Sequence, residues 1–249
     1  MQSRDAKSQS KNDLNQFDAI ESLFQDDPLP LIEKIDAFPK YVTRQAMAKF
    51  LTKHEIFKKV LHVNGSIIEC GVLHGAGLMA WAKLSSIFEP VNHTRKIIGF
   101  DTFEGFPTLH DKDLQGESSL LHEGGLAGSP YESVQRAVEV YDMNRAISHI
   151  PKVEIIKGDI RETSSQYLEA NPYLVVSLLY LDLDLYEPTK EALKVFLPRM
   201  PKGAIIGFDE LNAKIFPGET QAVIDTIGLR NLEIKRFDFD SYVSYAVLD

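Results

Sequence analysis

Apolar positions along this chain change rhythm once. From about Asp27 to Leu61 they recur at helical spacing, as in YVTRQAMAKFLTKHEIFKKVL (41–61), and predict helices. From Ser66 onward, short apolar runs alternate with helical stretches. The runs SIIECGV (66–72), KIIGFDT (96–102), VEIIKGD (153–159), VVSLLYLDLD (175–184) and GAIIGFDE (203–210) read as strands. GLMAWAKLSSIF (77–88), TKEALKVFL (189–197) and ETQAVIDTI (219–227) read as helices. A further helix is expected in SPYESVQRAVEVYDMNRA (129–146), with Ser129 as N-cap and Pro130 in the first turn. LEIKRFDF and SYVSYAVLD, at 232–239 and 241–249, lie too close for a crossover helix and predict an antiparallel pair. Alternating β and α with continuously apolar strands predicts an α/β fold, a mostly parallel sheet covered on both faces.

Three regions are expected: a flexible polar N-terminus (1–26), helices packed on the core (27–61), and one α/β domain (62–249). Within that domain residues 104–128 have no period and are rich in Gly, His and acids, which predicts a lid. At 44% hydrophobic and 25% charged, the composition is that of an ordinary soluble protein. A formal net charge of −9 argues against a broad nucleic-acid footprint or an anionic membrane surface as partner. No apolar run approaches a membrane span and the polar start is no secretory signal, so a cytoplasmic location is expected. The single cysteine, Cys70, excludes an intramolecular disulfide and a Cys-rich zinc site, and reads as packing.

The candidate chemistry is a row of acids. Ligands of open α/β sheets bind beyond the carboxyl ends of the strands. Each of the first five strands ends in or leads into an acid: Glu69, Asp101, Asp159, the pair Asp182 and Asp184, and the pair Asp209 and Glu210. Any one of them fits a turn or a cap, but a row along one edge reads as a site. The turn ECGVLHGAG carries Gly71, Gly75 and Gly77 but is not the G-x-G-x-x-G that cradles a pyrophosphate. Glu69 there would repel a phosphate and suit an ammonium group. Asp101 is placed for ribose hydroxyls, and Asp159, beside Ile160, for an adenine amino group. A ligand with ammonium, ribose and adenine but no phosphate is S-adenosylmethionine.

Strand alternation predicts that Asp182 and Asp184 share one face. If the fourth and fifth strands are neighbours, about 4.8 Å apart, Asp182, Asp209 and Glu210 converge on one cation. All-oxygen ligation favours Mg²⁺, with Mn²⁺ or Ca²⁺ as alternatives. The seven histidines form no zinc pattern. Asp184 has a plainer reading as the start of the turn before Pro188. Glu219 reads as a helix-start acid or a substrate contact, and His110 and His122 as loop residues near the substrate or merely exposed.

The segments IIECGVLHGAG, GFDTFEGFP, LDLDLYEPTKEAL and PKGAIIGFDE followed by ETQAV resemble the macrocin/mycinamicin (TylF-like) O-methyltransferases over roughly residues 40–228. The resemblance implies a Rossmann-like class I methyltransferase fold: a mostly parallel seven-stranded sheet, an antiparallel C-terminal hairpin and a helical N-terminal extension. It implies an S-adenosylmethionine- and Mg²⁺-dependent enzyme acting on a sugar, glycan or natural-product hydroxyl. Glu69, Gly71 and Asp101 would contact the cofactor, Asp182, Asp209 and Glu210 would hold the metal, and Asp184 would be the general base, though either Asp182 or Asp184 suits either role. The chain departs from the family pattern in carrying Asp209–Glu210 for two adjacent Asp, and KGDIRET for an aromatic segment. A haloacid-dehalogenase-type phosphohydrolase, which also ends a strand in D-x-D, and a methyltransferase-like binding protein without catalysis are the rival readings. The amphipathic N-terminal helices offer an interface for a homo-oligomer.

Overall fold

A computed structural model describes residues 10–249. Eight α-helices and seven strands are found among them: α1 (Lys11–Asp26), α2 (Leu31–Asp36), α3 (Arg44–Val60), β1 (Ser66–Cys70), α4 (Ala76–Phe88), β2 (Ile97–Asp101), α5 (Tyr131–Asp142), β3 (Val153–Lys157), α6 (Ile160–Ala170), β4 (Val176–Leu181), α7 (Tyr186–Phe196), β5 (Ile205–Phe208), α8 (Gly218–Thr226), β6 (Lys235–Arg236) and β7 (Ser244–Val247). The sheet order is β3-β2-β1-β4-β5-β7-β6. The five strands β1–β5 pair in parallel, and β7 runs antiparallel to both of its neighbours, β5 and β6. This is the expected mostly parallel, seven-stranded class I methyltransferase arrangement with its closing hairpin.

The apolar strand runs are explained by cover on both faces. One core cluster joins Ile67, Leu178, Tyr180 and Ile205 to α3 and α4 through Phe57, Val60 and Trp81. The other joins Ile68, Leu179, Leu181 and Ile206 to α6 and α7 through Ile160, Leu193 and Phe196. Each fully buried Ile, Leu or Phe contributes roughly 1.5–3 kcal/mol, enough in sum to offset the ordering of short strands.

Several boundaries differ from expectation. Of the expected flexible N-terminus, residues 1–9 lie outside the described residues, whereas Lys11–Asp26 form a helix. Helix α5 begins at Tyr131 with Pro130, not Ser129, at the cap. Helix α6 follows β3 where no element was expected; Asp159 caps it by accepting from the Arg161 N–H. Its apolar stripe, Ile160, Tyr167 and Leu168, is too sparse to stand out in the sequence.

Helix α3 bears on function. Its buried positions Thr52, Lys53, Ile56, Phe57 and Val60 form one stripe, with two polar residues at the end nearest the strand tips. The Thr52 hydroxyl donates to Asp240 at 2.7 Å, tying α3 to the segment before β7.

Candidate active site

Strand β4 ends at Leu181, so Asp182 and Asp184 leave the sheet before alternation can act on both. Asp182 is half-buried, and Asp184 is buried with φ at +63°, a left-handed conformation unusual outside Gly and Asn. The two acids therefore do not stand side by side on a strand face, as alternation predicts, yet both line one cleft at the carboxyl edge of the sheet. That cleft also takes in Gly71, Asp101, Asp159 and Ile160, from the successive ends of β1, β2 and β3.

Gly71 makes this convergence possible. Its φ is +95°, and a Cβ there would stand 1.9 Å from the Asp182 carbonyl oxygen. The exit of β1 is clamped on both sides at this point: the Gly71 N–H donates to Phe100 O of β2 at 2.9 Å, and the Asp182 N–H at the exit of β4 donates to Cys70 O at 2.8 Å. Residues 71–75 turn into α4, whose N-cap is Gly75 with φ +82°. Gly75 and Glu69 are not among the residues lining the cleft.

The acids at the strand ends are largely engaged by the protein itself. Asp101 Oδ2 accepts the Val72 and Leu73 N–H groups at 2.7 and 2.8 Å, and Oδ1 accepts the Phe103 N–H at 2.6 Å. It braces the glycine turn and, with about four acceptor positions on a carboxylate, keeps capacity for a ligand hydroxyl. Asp159 is gripped on both oxygens by the Arg161 guanidinium. Burial alone would raise its pKa, but the hydrogen bonds from Arg161 outweigh burial and hold it below the usual carboxylate range.

Glu69 lies behind the cleft, so close to α4 that a Cβ on Gly77 would fall 1.8 Å from its Oε1. Gly77 is thus a packing requirement for Glu69. Burial pushes the Glu69 carboxyl up to about 8 despite the Lys53 ammonium 4.0 Å away, with Asp182 and Asp209 adding to the rise.

Asp209 and Glu210 are buried beyond β5. Asp209 accepts from the Lys49 ammonium at 2.8 Å and from the Tyr180 hydroxyl at 2.7 Å. Burial works to raise its pKa, but Lys49 and Lys53 overcome it and hold the group well below the carboxylate range. Lys53 lies over the Tyr180 ring, 3.9 Å from its centroid. The Glu210 N–H donates to Glu219 Oε1 at 3.1 Å, so Glu219 is a fully buried helix-start acid bonded to the backbone. Burial, with Asp209, Glu210 and Asp184 nearby, raises it well above the usual range.

The expected cation site is not assembled. No group of three or more His, Cys, Asp or Glu side chains among the described residues is arranged to hold a metal ion. The positive charge facing Asp209 is an ammonium on α3, so Asp182, Asp209 and Glu210 as arranged do not fit Mg²⁺, Mn²⁺ or Ca²⁺. The cleft does suit an adenosyl group. Gly71 and Gly158 line it beside Ile160 and Leu126, which offer apolar surface to a flat ring, and Asp101 lies at the strand tip.

Residues 104–128 form one wall of the cleft through Gly105, Phe106, Pro107 and Leu126. They are held by a small apolar cluster of Phe106, Leu185 and Phe216, joined by Leu120 and Leu121. His110 packs on the Tyr186 ring, and His122 is exposed. The sequence reading missed Lys49, Lys53 and Tyr180. Two lysines four apart on α3 were the available signal, but Asp209 and Tyr180, which they meet, lie more than a hundred residues along the chain.

Comparison with known proteins follows the same lines. The family model described as macrocin-O-methyltransferase (TylF) matches residues 41–245. The crystal structure of CalS11, a calicheamicin methyltransferase, is similar with 31% identity and a TM-score of 0.92, over 99% of this chain and 97% of that one. The apo structure of CalS11, titled a TDP-rhamnose 3'-O-methyltransferase of calicheamicin biosynthesis, has 30% identity and a TM-score of 0.83, over 96% and 95%. A curated 8-demethyl-8-(2,3-dimethoxy-alpha-L-rhamnosyl)-tetracenomycin-C 4'-O-methyltransferase of Streptomyces olivaceus is 28% identical over 156 residues, 59% of this chain. The match spans about half, 53%, of that relative's length.

Proposed function

This chain belongs to the macrocin-O-methyltransferase family, and we propose that it transfers a methyl group from S-adenosylmethionine to a hydroxyl on a sugar unit of a nucleotide sugar or natural product. The observation that carries this reading is the single cleft in which Gly71, Asp101, Asp159 and Ile160 lie beside Asp182 and Asp184. The family match leaves the phosphohydrolase rival without support. The relatives named for rhamnose or rhamnosyl acceptors support a deoxysugar hydroxyl as the acceptor class.

S-adenosylmethionine, when bound, supplies a methyl group already activated on a sulfonium. The chain's task is placement, proton removal and exclusion of water. Gly71 lets the exits of β1 and β4 approach closely at the cleft, and Asp101 holds the turn beside it while offering an acceptor to a ribose hydroxyl. Ile160 and Leu126 flank the ring position. Asp184 takes the proton of the acceptor hydroxyl as its oxygen attacks the methyl carbon, and Asp182 orients a neighbouring hydroxyl. The methyl would leave with the carbon–sulfur electron pair remaining on sulfur, so the spent cofactor would be a neutral thioether. The 104–128 wall serves as the lid that keeps the acceptor side dry. No step is routed through a divalent cation.

The test is calorimetric titration of S-adenosylmethionine into EDTA-stripped protein, followed by assay of methyl transfer to TDP-L-rhamnose. Saturable binding near one per chain with transfer is the expected result. Absence of binding would overturn the cofactor reading. Binding without transfer to any hydroxylated sugar would favour a non-catalytic binding protein.

A further inference from the structure

Asp184 sits in a conformation that its own sequence does not favour. The Leu185 N–H donates to Leu183 O at 2.7 Å across it, closing a three-residue turn with φ at +63°. That is the rare, strained hand of such a turn, and it persists only where surrounding structure dictates it. Helix α7 starts two residues later, and its N-cap, Leu185, has no side chain able to accept the free N–H groups of the first turn.

The missing acceptor comes from the 104–128 wall. Asp113 is 1% exposed; its Oδ1 accepts the Tyr186 N–H at 2.8 Å and its Oδ2 accepts the His110 N–H at 2.8 Å. One carboxylate thus fastens the wall to itself and to the first residue of α7, where the helix dipole favours a negative charge. The first residue of α8 completes the seat. A Cβ on Gly218 would lie 2.1 Å from Asp113 Oδ1, 2.5 Å from the Tyr186 nitrogen and 2.8 Å from the Asp184 carbonyl oxygen. Only a glycine lets α8 back the turn that carries Asp184.

We infer that Asp113 is a positioning residue for methyl transfer: it caps α7 from the lid and so holds the strained Asp184 turn in its working geometry, with Gly218 as the backing. This rests on the reading of Asp184 as the base. Asp113 and Gly218 are absent from the lining of the cleft, so S-adenosylmethionine binding and catalysis should separate.

The experiment uses two variants of the full chain. Asp113→Asn offers one acceptor oxygen where two are needed. Gly218→Ala keeps Asp113 but wedges the seat apart, and alanine in a helix would otherwise be welcome. Each is assayed with TDP-L-rhamnose as probe acceptor, by titration calorimetry with S-adenosylmethionine, and by amide hydrogen exchange. The expected result for both is a 10- to 100-fold fall in kcat, with acceptor KM and cofactor Kd within about threefold of wild type, and faster exchange at 183–187 but not in β1 or β4. Unchanged kcat, or a loss of cofactor affinity equal to the loss of kcat, would overturn the inference. If the wild type itself does not methylate the probe, that acceptor reading fails. Exchange at 183–187 still decides the latch, because unchanged protection in both variants refutes it.

Discussion

At the scale of single residues, the carboxylates at the sheet edge separate by what they already touch. Asp101, Asp159, Asp182 and Asp184 all line the cleft; Asp101 and Asp159 are braced by backbone N–H groups and Arg161, while Asp209, outside it, is held by Lys49 and Tyr180. Asp184→Asn should therefore lower methyl transfer by about 10²–10⁴-fold, the usual contribution of a general base, with S-adenosylmethionine affinity retained in calorimetry. Glu69 gives a pH prediction. Its pKa in the folded protein is about 8 against an ordinary 4.5, so the folded state binds a proton that the unfolded state has lost. The stability from that bound proton is complete below pH 4.5 and is lost as pH rises through about 8. Glu69→Gln, neutral throughout, should raise the melting temperature relative to wild type at pH 8.5 and lose that advantage toward pH 4.5. A wild-type-like pH profile in the variant would count against the assignment.

At the scale of elements, α3 joins the N-terminal helices to the sheet and to the site. Ile56, Phe57 and Val60 are wholly buried in the core shared with α4, while Lys49 and Lys53 reach Asp209 and the Tyr180 ring. Phe57→Ala should cost about 3–5 kcal/mol in urea unfolding, the range for removing a fully packed aromatic ring. Helix periodicity made α3 legible in the sequence, including which stripe is apolar. The partners of its lysines were not legible, because side chains more than a hundred residues apart meet only once β4 and β5 are paired. The same holds for the D-x-D segment. Its apolar run read correctly as a strand, but the strand stops at Leu181, and the bend that reorients Asp184 depends on contacts with α8 and the lid.

At the scale of the whole molecule, seven strands in the order β3-β2-β1-β4-β5-β7-β6 place the exits of β1 and β4 side by side, and the cleft forms there. The arrangement of the acids makes a further prediction: Mg²⁺ titrated into EDTA-stripped protein should give no saturable heat, because Lys49 already neutralises Asp209. Saturable binding near one per chain would mean that Lys49 yields its place to the ion. Sequence alone determined the α/β alternation, the strand cores, the closing hairpin, the family and the edge on which the chemistry lies, since each follows from local periodicity or from contiguous motifs. Tertiary structure decided which acids are spent on backbone groups and lysines, that Glu69 stands behind the cleft, and that Asp184 is held in a strained turn by Asp113 and Gly218. Those outcomes depend on burial and on distances between residues remote in the chain, and a carboxylate's role is set by the charges and donors that folding brings within about 3 Å of it.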